Sequence, residues 1–373
     1  MLEAGGSDES NELIDIPLAA FSLVGSEIDW GFATVPQKEA LRAHNDNRNL
    51  VPRGRVLGGT SSLNHLAYVR GSRHDYDQWA AEGCDGWAYR DVLPYFIKSE
   101  DVRAEWLKNS PYHGKGGPLA VSPGQVTDLN KYYAKAMKEL GYDTVDCNGK
   151  SQIGYEPITL TVKDGSRCST ANCFLNSAIH RPNLHISTNC YVTKVLMKEK
   201  TAFGVDFIRG NRKQSVHARK EVILSAGSIN SPQILMLSGI GPKKHLQSFK
   251  VVVADLPVGQ NLQDHIFVPI VFFPNVSLTI TPERVNTLWN VIQYKTTGKG
   301  YLSTSGLEGT SFINTDDKSS DAHANIQISF VSAFFPALDK GFATSKLNFK
   351  QEVSIKQTGI NPQVGFKQKS RLG

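Results

Sequence analysis

The sequence predicts a mixed α/β fold: an open, helix-covered sheet that lacks its first βαβ unit, plus a partial second domain with an antiparallel sheet. Three observations carry this prediction. Met1-Leu2-Glu3-Ala4-Gly5-Gly6 reads as the end of a strand entering a glycine-rich loop. Short alternating runs between Leu184 and Ala218 read as a meander, followed by an apolar run Glu221–Ser225 that reads as a buried strand and then by a punctuated helix. Beyond Asp264, a strand at Ile266–Phe273, a helix opened by Thr281-Pro282-Glu283 and a strand at Ile326–Val331 read as a second sheet with a covering helix.

With 373 residues and 40% hydrophobic content, the chain is long enough for two domains, because single cores stop growing near ~250–300 residues. The net charge of +6 is spread along the length rather than gathered into a basic run, which argues against nucleic-acid binding. Five cysteines (Cys84, Cys147, Cys168, Cys173, Cys190) show no zinc-type spacing, and an odd number cannot pair completely. They read as buried structural thiols, and no metal site is expected. No apolar run approaches the roughly 18 residues that a membrane span requires.

Between Ser72 and Lys150 three short helices are expected. Tyr76, Trp79 and Ala80 share one face, Val92, Leu93, Tyr95 and Phe96 another, and Leu129–Leu140 closes at Gly141. Ile158–Val162 alternates as a strand into the turn Lys163-Asp164-Gly165, and Ser169 can cap a helix through Phe174 and Leu175. The meander strands are placed at Leu184–Ser187, Tyr191–Met197, Ala202–Ile208 and Gln214–Ala218. In the helix that follows, Ser231 reads as N-cap, Pro232 as first helical residue, and Ser238-Gly239 as the stop. After it, Val285, Leu288, Trp289 and Ile292 fall on one helical face. Periodicity is lost in the polar tail after Ala337. The expected division is residues 1–72 with 184–265 for ligand binding, 73–183 as helical insertions, and 266–373 as a partial second domain with a non-matching tail.

The segment Gly54-Arg55-Val56-Leu57-Gly58-Gly59-Thr60-Ser61-Ser62-Leu63-Asn64 carries the strongest chemical signal. Paired glycines admit positive φ and close approach of a ligand, and hydroxyl residues can cap a following helix whose N–H groups attract phosphate. Arg53, Arg55 and Arg70 add positive charge nearby. A glycine pair alone also fits an ordinary turn. Glu3 sits where a nucleotide-binding βαβ unit places its ribose-binding acid, yet the strand, GxGxxG turn and helix that should precede it by about 20 residues are not in the sequence. The chain is therefore expected to be incomplete at its start.

Two long segments resemble one family. Gly54–Asn64, continuing through Tyr68 and Gly71, is similar to the first signature of the glucose–methanol–choline (GMC) oxidoreductases, and Gly227–Gly241 to the second. Leu256–His265, Trp87 with Leu93–Phe96, and Arg167-Cys168-Ser169 leading to Phe174-Leu175 agree, so the resemblance covers about residues 1–335. Cys84-Asp85-Gly86-Trp87 most resembles the insect glucose dehydrogenase-like branch.

The resemblance implies an FAD enzyme that removes a hydride from a CH–OH carbon of an alcohol or sugar, passing electrons to an acceptor that the sequence does not name. It implies that Glu3 binds the adenosine ribose. Val56, Gly58, Gly59, Thr60 and the turn Asn64-His65-Leu66-Ala67 would run beside the pyrophosphate and isoalloxazine, with Asn64 in direct contact. The main chain of Val192 would meet adenine, and the small residues Ala226 and Gly227 would admit close approach at a strand's carboxyl end. His265 beside Asp264 is rejected as a base, because the match places it in a cofactor-domain loop.

In this family the proton-abstracting histidine lies in a C-terminal segment. The ten histidines here end at His323, nothing after Ala337 matches, and Ser370-Arg371 reads as a remnant landmark. No catalytic residue is assigned, and the chain is expected to be an inactive fragment, incomplete at both ends. The alternative is a non-catalytic relative that keeps the scaffold as a binding module. A nicotinamide-dependent Rossmann dehydrogenase would need neither long signature. Secretion is suggested by the insect branch, and Asn275-Val276-Ser277 forms a glycosylation sequon.

Overall fold

The computed structural model describes residues 1–250, 252–270, 272, 278–316, 322–333, 348 and 350. The sequon, most of the polar tail and the Ser370-Arg371 landmark lie outside them. The chain forms two compact units: Met1–Ser7 with Arg55–Leu57 and Arg181–Phe272, and Asp8–Gly54 with Gly58–His180 and Phe273–Gly373. Helices and sheets are mixed, as expected for the fold class.

In the first unit the meander is present. Thr201–Arg209 lies between Cys190–Lys198 and Arg212–His217, antiparallel to both. The two-residue connection Gly210-Asn211 closes one hairpin with Gly210 at φ +56, the region that hairpin turns favour. Val195, Val205 and Ile234 form the core, with Leu2, Val192, Val222 and Leu224 packed against it. Ile234 comes from the helix Gly227–Leu237, whose C-cap Ser238 accepts the N–H of Val195 at 2.8 Å through its Oγ. Gly239, at φ +85, stops that helix and donates to the Met236 carbonyl.

Four sequence expectations in this unit need correction. Leu184–Ser187 is not a strand; only Ser187 bridges, to Leu2. Glu221–Ser225 is not a paired strand: Val222 and Leu224 pack inward while Ile223 is 76% exposed. Its alternation fixes which residues face the core, but a strand also needs a hydrogen-bonded neighbour, and no described strand pairs with it. The helix begins at Gly227, so Pro232 lies inside it, and Ser231 Oγ accepts the N–H of Ala226 rather than that of a later residue. At the sixth helical position the proline has no N–H to give the Ser228 carbonyl, so the helix forgoes one internal hydrogen bond there. Residues 266–270 and 272 form no strand and are largely exposed; positions 271 and 273 fall outside the described residues.

The second unit holds the three expected helices, Arg73–Ala81, Tyr89–Ser99 and Leu129–Glu139. Ser72 and Asp75 form a reciprocal capping box on the first. The third ends in a Schellman motif: Gly141 (φ +89) donates to Lys138 O and Tyr142 to Met137 O, and Met137 and Tyr142 share a buried cluster. Val162–Lys163 and Ser166–Arg167 pair around Asp164 and Gly165, both at positive φ, as a tight hairpin requires. Ala20, Leu66, Ile158, Leu160 and Val162 pack as one buried cluster, with Leu307 against it.

Sequence patterning missed the central strand of this unit's antiparallel sheet. Leu307–Ile313 pairs with Ile326–Val331 on one side and Gly154–Pro157 on the other. Its Glu308, Thr310 and Ser311 are buried, so the strand shows no apolar alternation. Burial is tolerated because the polar groups are bonded: Thr127 N–H and Oγ1–H donate to the Glu308 carboxylate at 2.9 and 3.0 Å, and Tyr133 and Ser311 join hydroxyls at 3.0 Å.

The helix opened by Thr281 is two helices, Pro282–Val285 and Leu288–Thr297, broken at Asn286 and restarted by Thr287, whose Oγ1 accepts the N–H of Asn290. Leu288 and Trp289 are exposed rather than packed. Cys168 and Cys173 form a disulfide, against the expectation of free thiols, while Cys84, Cys147 and Cys190 are free. Among the described residues no helix is long and apolar enough to cross a membrane.

Candidate functional site

The diglycine segment lies in the second unit from Gly58 onward. Gly58 adopts φ +87 and heads a single 3-10 turn, Gly59–Ser62. Its carbonyl accepts from Ser61 N–H at 3.2 Å, Ser61 Oγ at 2.5 Å and Thr170 Oγ1 at 3.2 Å. Thr60 Oγ1 accepts the N–H of Gly54 at 3.1 Å, and Ser62 is buried. The hydroxyl residues therefore hold the loop's own shape instead of capping a long helix, since the next α-helix begins only at Arg73. Gly59, at φ +54, has no atom within 4 Å of where a Cβ would stand, so its face is open to close approach.

A Cβ on Gly58 would lie 2.3 Å from Ser62 Oγ at a backbone angle that side chains resist. Gly58→Ala is expected to destabilise the protein by about 1–2 kcal/mol, read as a lower urea midpoint; an unchanged midpoint would show that the turn relaxes freely.

From this turn the chain runs into Asn64–Ala67. Asn64 N–H donates to Thr60 O at 2.8 Å, and Asn64 Oδ1 accepts from Leu66 N–H at 3.1 Å, holding Leu66 at φ +64 with its side chain buried. The His65 ring lies 3.9 Å from that of Phe21, centroid to centroid. Burial, helped by the positive charge of Arg167, pushes the His65 pKa down to about 4, and its buried Nδ1 has no partner. The ring is neutral at physiological pH. Ala67 is exposed and bridges Leu160.

Beneath the turn sits Arg167, which sequence reading noted only as part of a motif. It is 1% exposed. Its Nη1 donates to Ser61 O (3.0 Å), Asn64 O (2.8 Å) and Asn64 Oδ1 (2.9 Å), and its Nε to Ile14 O (2.8 Å).

In the first unit, Glu3 is tied to the chain at Ser187–Cys190: its N–H donates to Ser187 O and its carbonyl accepts from Cys190 N–H. Glu3 Oε1 accepts the N–H of Gly5 at 2.7 Å. Burial raises the carboxyl pKa, opposed by the N–H groups of Gly5 and Ala4 and by Arg55. Val56 is fully buried and bridges Gly6, and a Cβ on Gly5 would meet Arg55 O at 2.0 Å. Val192 packs on the unit's core. Ala226 and Gly227 are exposed at the start of their helix, with Gly227 at φ +86 and nothing within 4 Å of its Cβ position. For His265, only the backbone N–H reaches Asp264, at 2.8 Å.

Arg70, taken from sequence as positive charge near the glycine turn, has another role. Its Nη2 pairs with Glu100 Oε2 at 2.8 Å, both side chains being buried. Glu100 also meets His113 Nδ1 at 2.8 Å and accepts Gly114 N–H at 2.8 Å, and His113 Nε2 lies 3.1 Å from Asp146. This buried chain of charges gives no sequence signal, because its members are spread from position 70 to 146.

The structure is similar to an FAD-dependent oxidoreductase from Chaetomium thermophilum at 30% identity and TM-score 0.73, covering 83% of this chain and 56% of that one. Residues 12–267 match the GMC oxidoreductase family model; the chain belongs to the GMC oxidoreductase family. It is 40% identical over 350 residues to an oxygen-dependent choline dehydrogenase from Photobacterium profundum, covering 89% of this chain and 58% of that protein. To the glucose dehydrogenase [FAD, quinone] of Drosophila melanogaster it is 38% identical over 339 residues, covering 88% and 53%. The chain thus spans little more than half the length of these relatives.

Proposed function

We propose that this chain is part of an FAD-dependent oxidoreductase acting on CH–OH groups of alcohols or sugars. The family match over residues 12–267, which takes in both signature glycine segments, carries this reading. The residues fit such a cofactor in one testable respect: Gly59 and Gly227 stand at positive φ with open space where a side chain would be, which suits close approach of backbone to a ligand. When bound, FAD supplies the hydride acceptor.

The chain's own residues have distinct parts in this reading. Glu3, anchored by Gly5, accepts hydrogen bonds from the adenosine ribose. Val192, Ala226 and Gly227 present backbone and small side chains to the adenosine end. Val56, which bridges Gly6, runs with Gly58, Gly59, Thr60 and the turn Asn64, His65, Leu66 and Ala67 beside the pyrophosphate and ring. Asn64 Oδ1 is engaged within the protein, so its Nδ2 is the group that donates. Residues 1–72 with 184–265 serve cofactor binding, 73–183 form helical insertions, and 266–373 belong to the substrate side. The likeness to an insect glucose dehydrogenase and the Cys168–Cys173 disulfide favour an oxidising, extracellular setting.

The test is purification of the chain with whatever coding sequence adjoins it. An oxidised-flavin absorbance spectrum that bleaches on anaerobic addition of an alcohol or sugar is expected. A colourless protein that takes up no added FAD defeats the reading. Bound flavin that no alcohol or sugar reduces would favour the non-catalytic relative instead.

A further inference from the structure

We infer that Arg167 is a positioning residue that shapes the Ser61–Ala67 turn for FAD and places a fixed positive charge behind it, an inference that rests on the function proposed above. The geometry is specific to a guanidinium. Nε reaches Ile14 O in one segment while Nη1 reaches Ser61 O, Asn64 O and Asn64 Oδ1 in another. A planar fork spans these acceptors at once; a lysine ammonium is a compact point charge on a flexible stem and cannot.

The consequence falls on Asn64. Its backbone carbonyl and its Oδ1 are both drawn to Arg167, which fixes the amide's orientation and leaves Nδ2 without an acceptor among the described residues. The side chain that the family resemblance places against the cofactor is thus preset as a donor before any ligand arrives. Preset donors lose less freedom on binding than mobile ones. Arg167 is itself held in place: Asn172 Nδ2 donates to its carbonyl at 2.6 Å, and the Cys168–Cys173 disulfide closes the turn that follows.

The charge is the second part. Arg167 is 1% exposed, every acceptor bonded to its side chain is a neutral oxygen, and its buried Nη2 has no partner. The carboxylate that acts on it electrostatically is Asp15, an exposed residue screened by water. A buried cation compensated only by neutral groups favours added negative charge on the far side of the turn, and a flavin gains negative charge on reduction.

Two variants of the full-length protein separate position from charge. Arg167→Lys keeps the charge and loses the fork: FAD affinity, by fluorescence titration, is expected to fall about tenfold, with faster amide exchange at residues 61–67 in the FAD-free protein and the flavin midpoint potential retained. Arg167→Met loses both, and the reduced cofactor is expected to be weakened about tenfold more than the oxidised one. For a two-electron couple that is a fall of about 30 mV. If the parent binds FAD while Arg167→Lys matches it in affinity and exchange, the inference is overturned, even should Arg167→Met fail to fold. If Arg167→Met folds and keeps the parent potential, the charge role is overturned. A parent that binds no FAD defeats the proposed function itself, and this inference with it.

Discussion

Glu100→Ala is expected to destabilise the second unit by about 3–5 kcal/mol, the cost of removing one partner from a buried ion pair. Glu100 is fully buried and holds Arg70, His113 and the Gly114 N–H together. Without it, the Arg70 guanidinium keeps Tyr112 O and Tyr68 Oη as partners but no carboxylate contact, and His113 keeps only Asp146. The loss is larger than that of a surface pair because neither water nor salt reaches the stranded charge. The measurement is urea unfolding with the slope unchanged and the midpoint lowered. A midpoint within error of the parent would mean that the Arg70–Glu100 pair adds nothing over its desolvation. Glu100→Gln, which keeps the shape, should lose less than Glu100→Ala but more than a surface change.

Stability is expected to fall as pH rises from about 6.5 to 9, where His113 titrates, and to change little between about 4.5 and 6.5, where Glu156 lowers it and His65, whose pKa is pushed down to about 4, raises it. Burial opposes charging of His113, yet its bonds to Asp146 and Glu100 outweigh burial and lift its pKa from 6.5 to about 9. Because the folded state holds that proton more tightly, the contribution is complete below 6.5 and lost as pH passes 9. Its size is at most about 3 kcal/mol, at about 1.4 kcal/mol per pH unit. Glu156 is lifted from 4.5 to about 7, chiefly by burial. One of its oxygens accepts the Cys147 N–H at 3.0 Å and the other has no partner. A carboxyl raised in this way favours folding while protonated, so its contribution is lost between 4.5 and 7. Melting temperatures across this range provide the check, with His113→Gln flattening the fall above 6.5 and Glu156→Gln leaving a rise below it. A profile that rises with pH between about 6.5 and 9 would contradict the assignment.

Local signals were the most legible. The Gly141 and Gly239 stops, the Asp164-Gly165 hairpin and the meander all depend on residues a few positions apart. Backbone angle and short-range bonding decide them. The misread elements depend on distant partners. Glu221–Ser225 has the composition of a buried strand but no described neighbour, and Leu307–Ile313 has the composition of a loop yet sits centrally in a sheet because Thr127, Asn130 and Tyr133 satisfy its polar groups.

The candidate site divides in the same way. The glycines at 58, 59 and 227 were legible because positive φ is a property of the residue itself. Thr60 and Ser61 do not cap a following helix as expected, since residue type shows that hydroxyls can bond but not to what; here they bond to Gly54 and Gly58. Arg70 and Arg167 carry the same charge in sequence, and only folding separates an arginine neutralised by Glu100 from one bonded to neutral carbonyls.

The sequence alone determined the family of this protein, its mixed α/β class and the places where the backbone must turn, because those rest on residue type and short-range order. Tertiary structure decided which charges are paired, which strand is central and what stands behind Asn64, because burial and partnership arise only when segments far apart in the chain are brought within hydrogen-bonding distance.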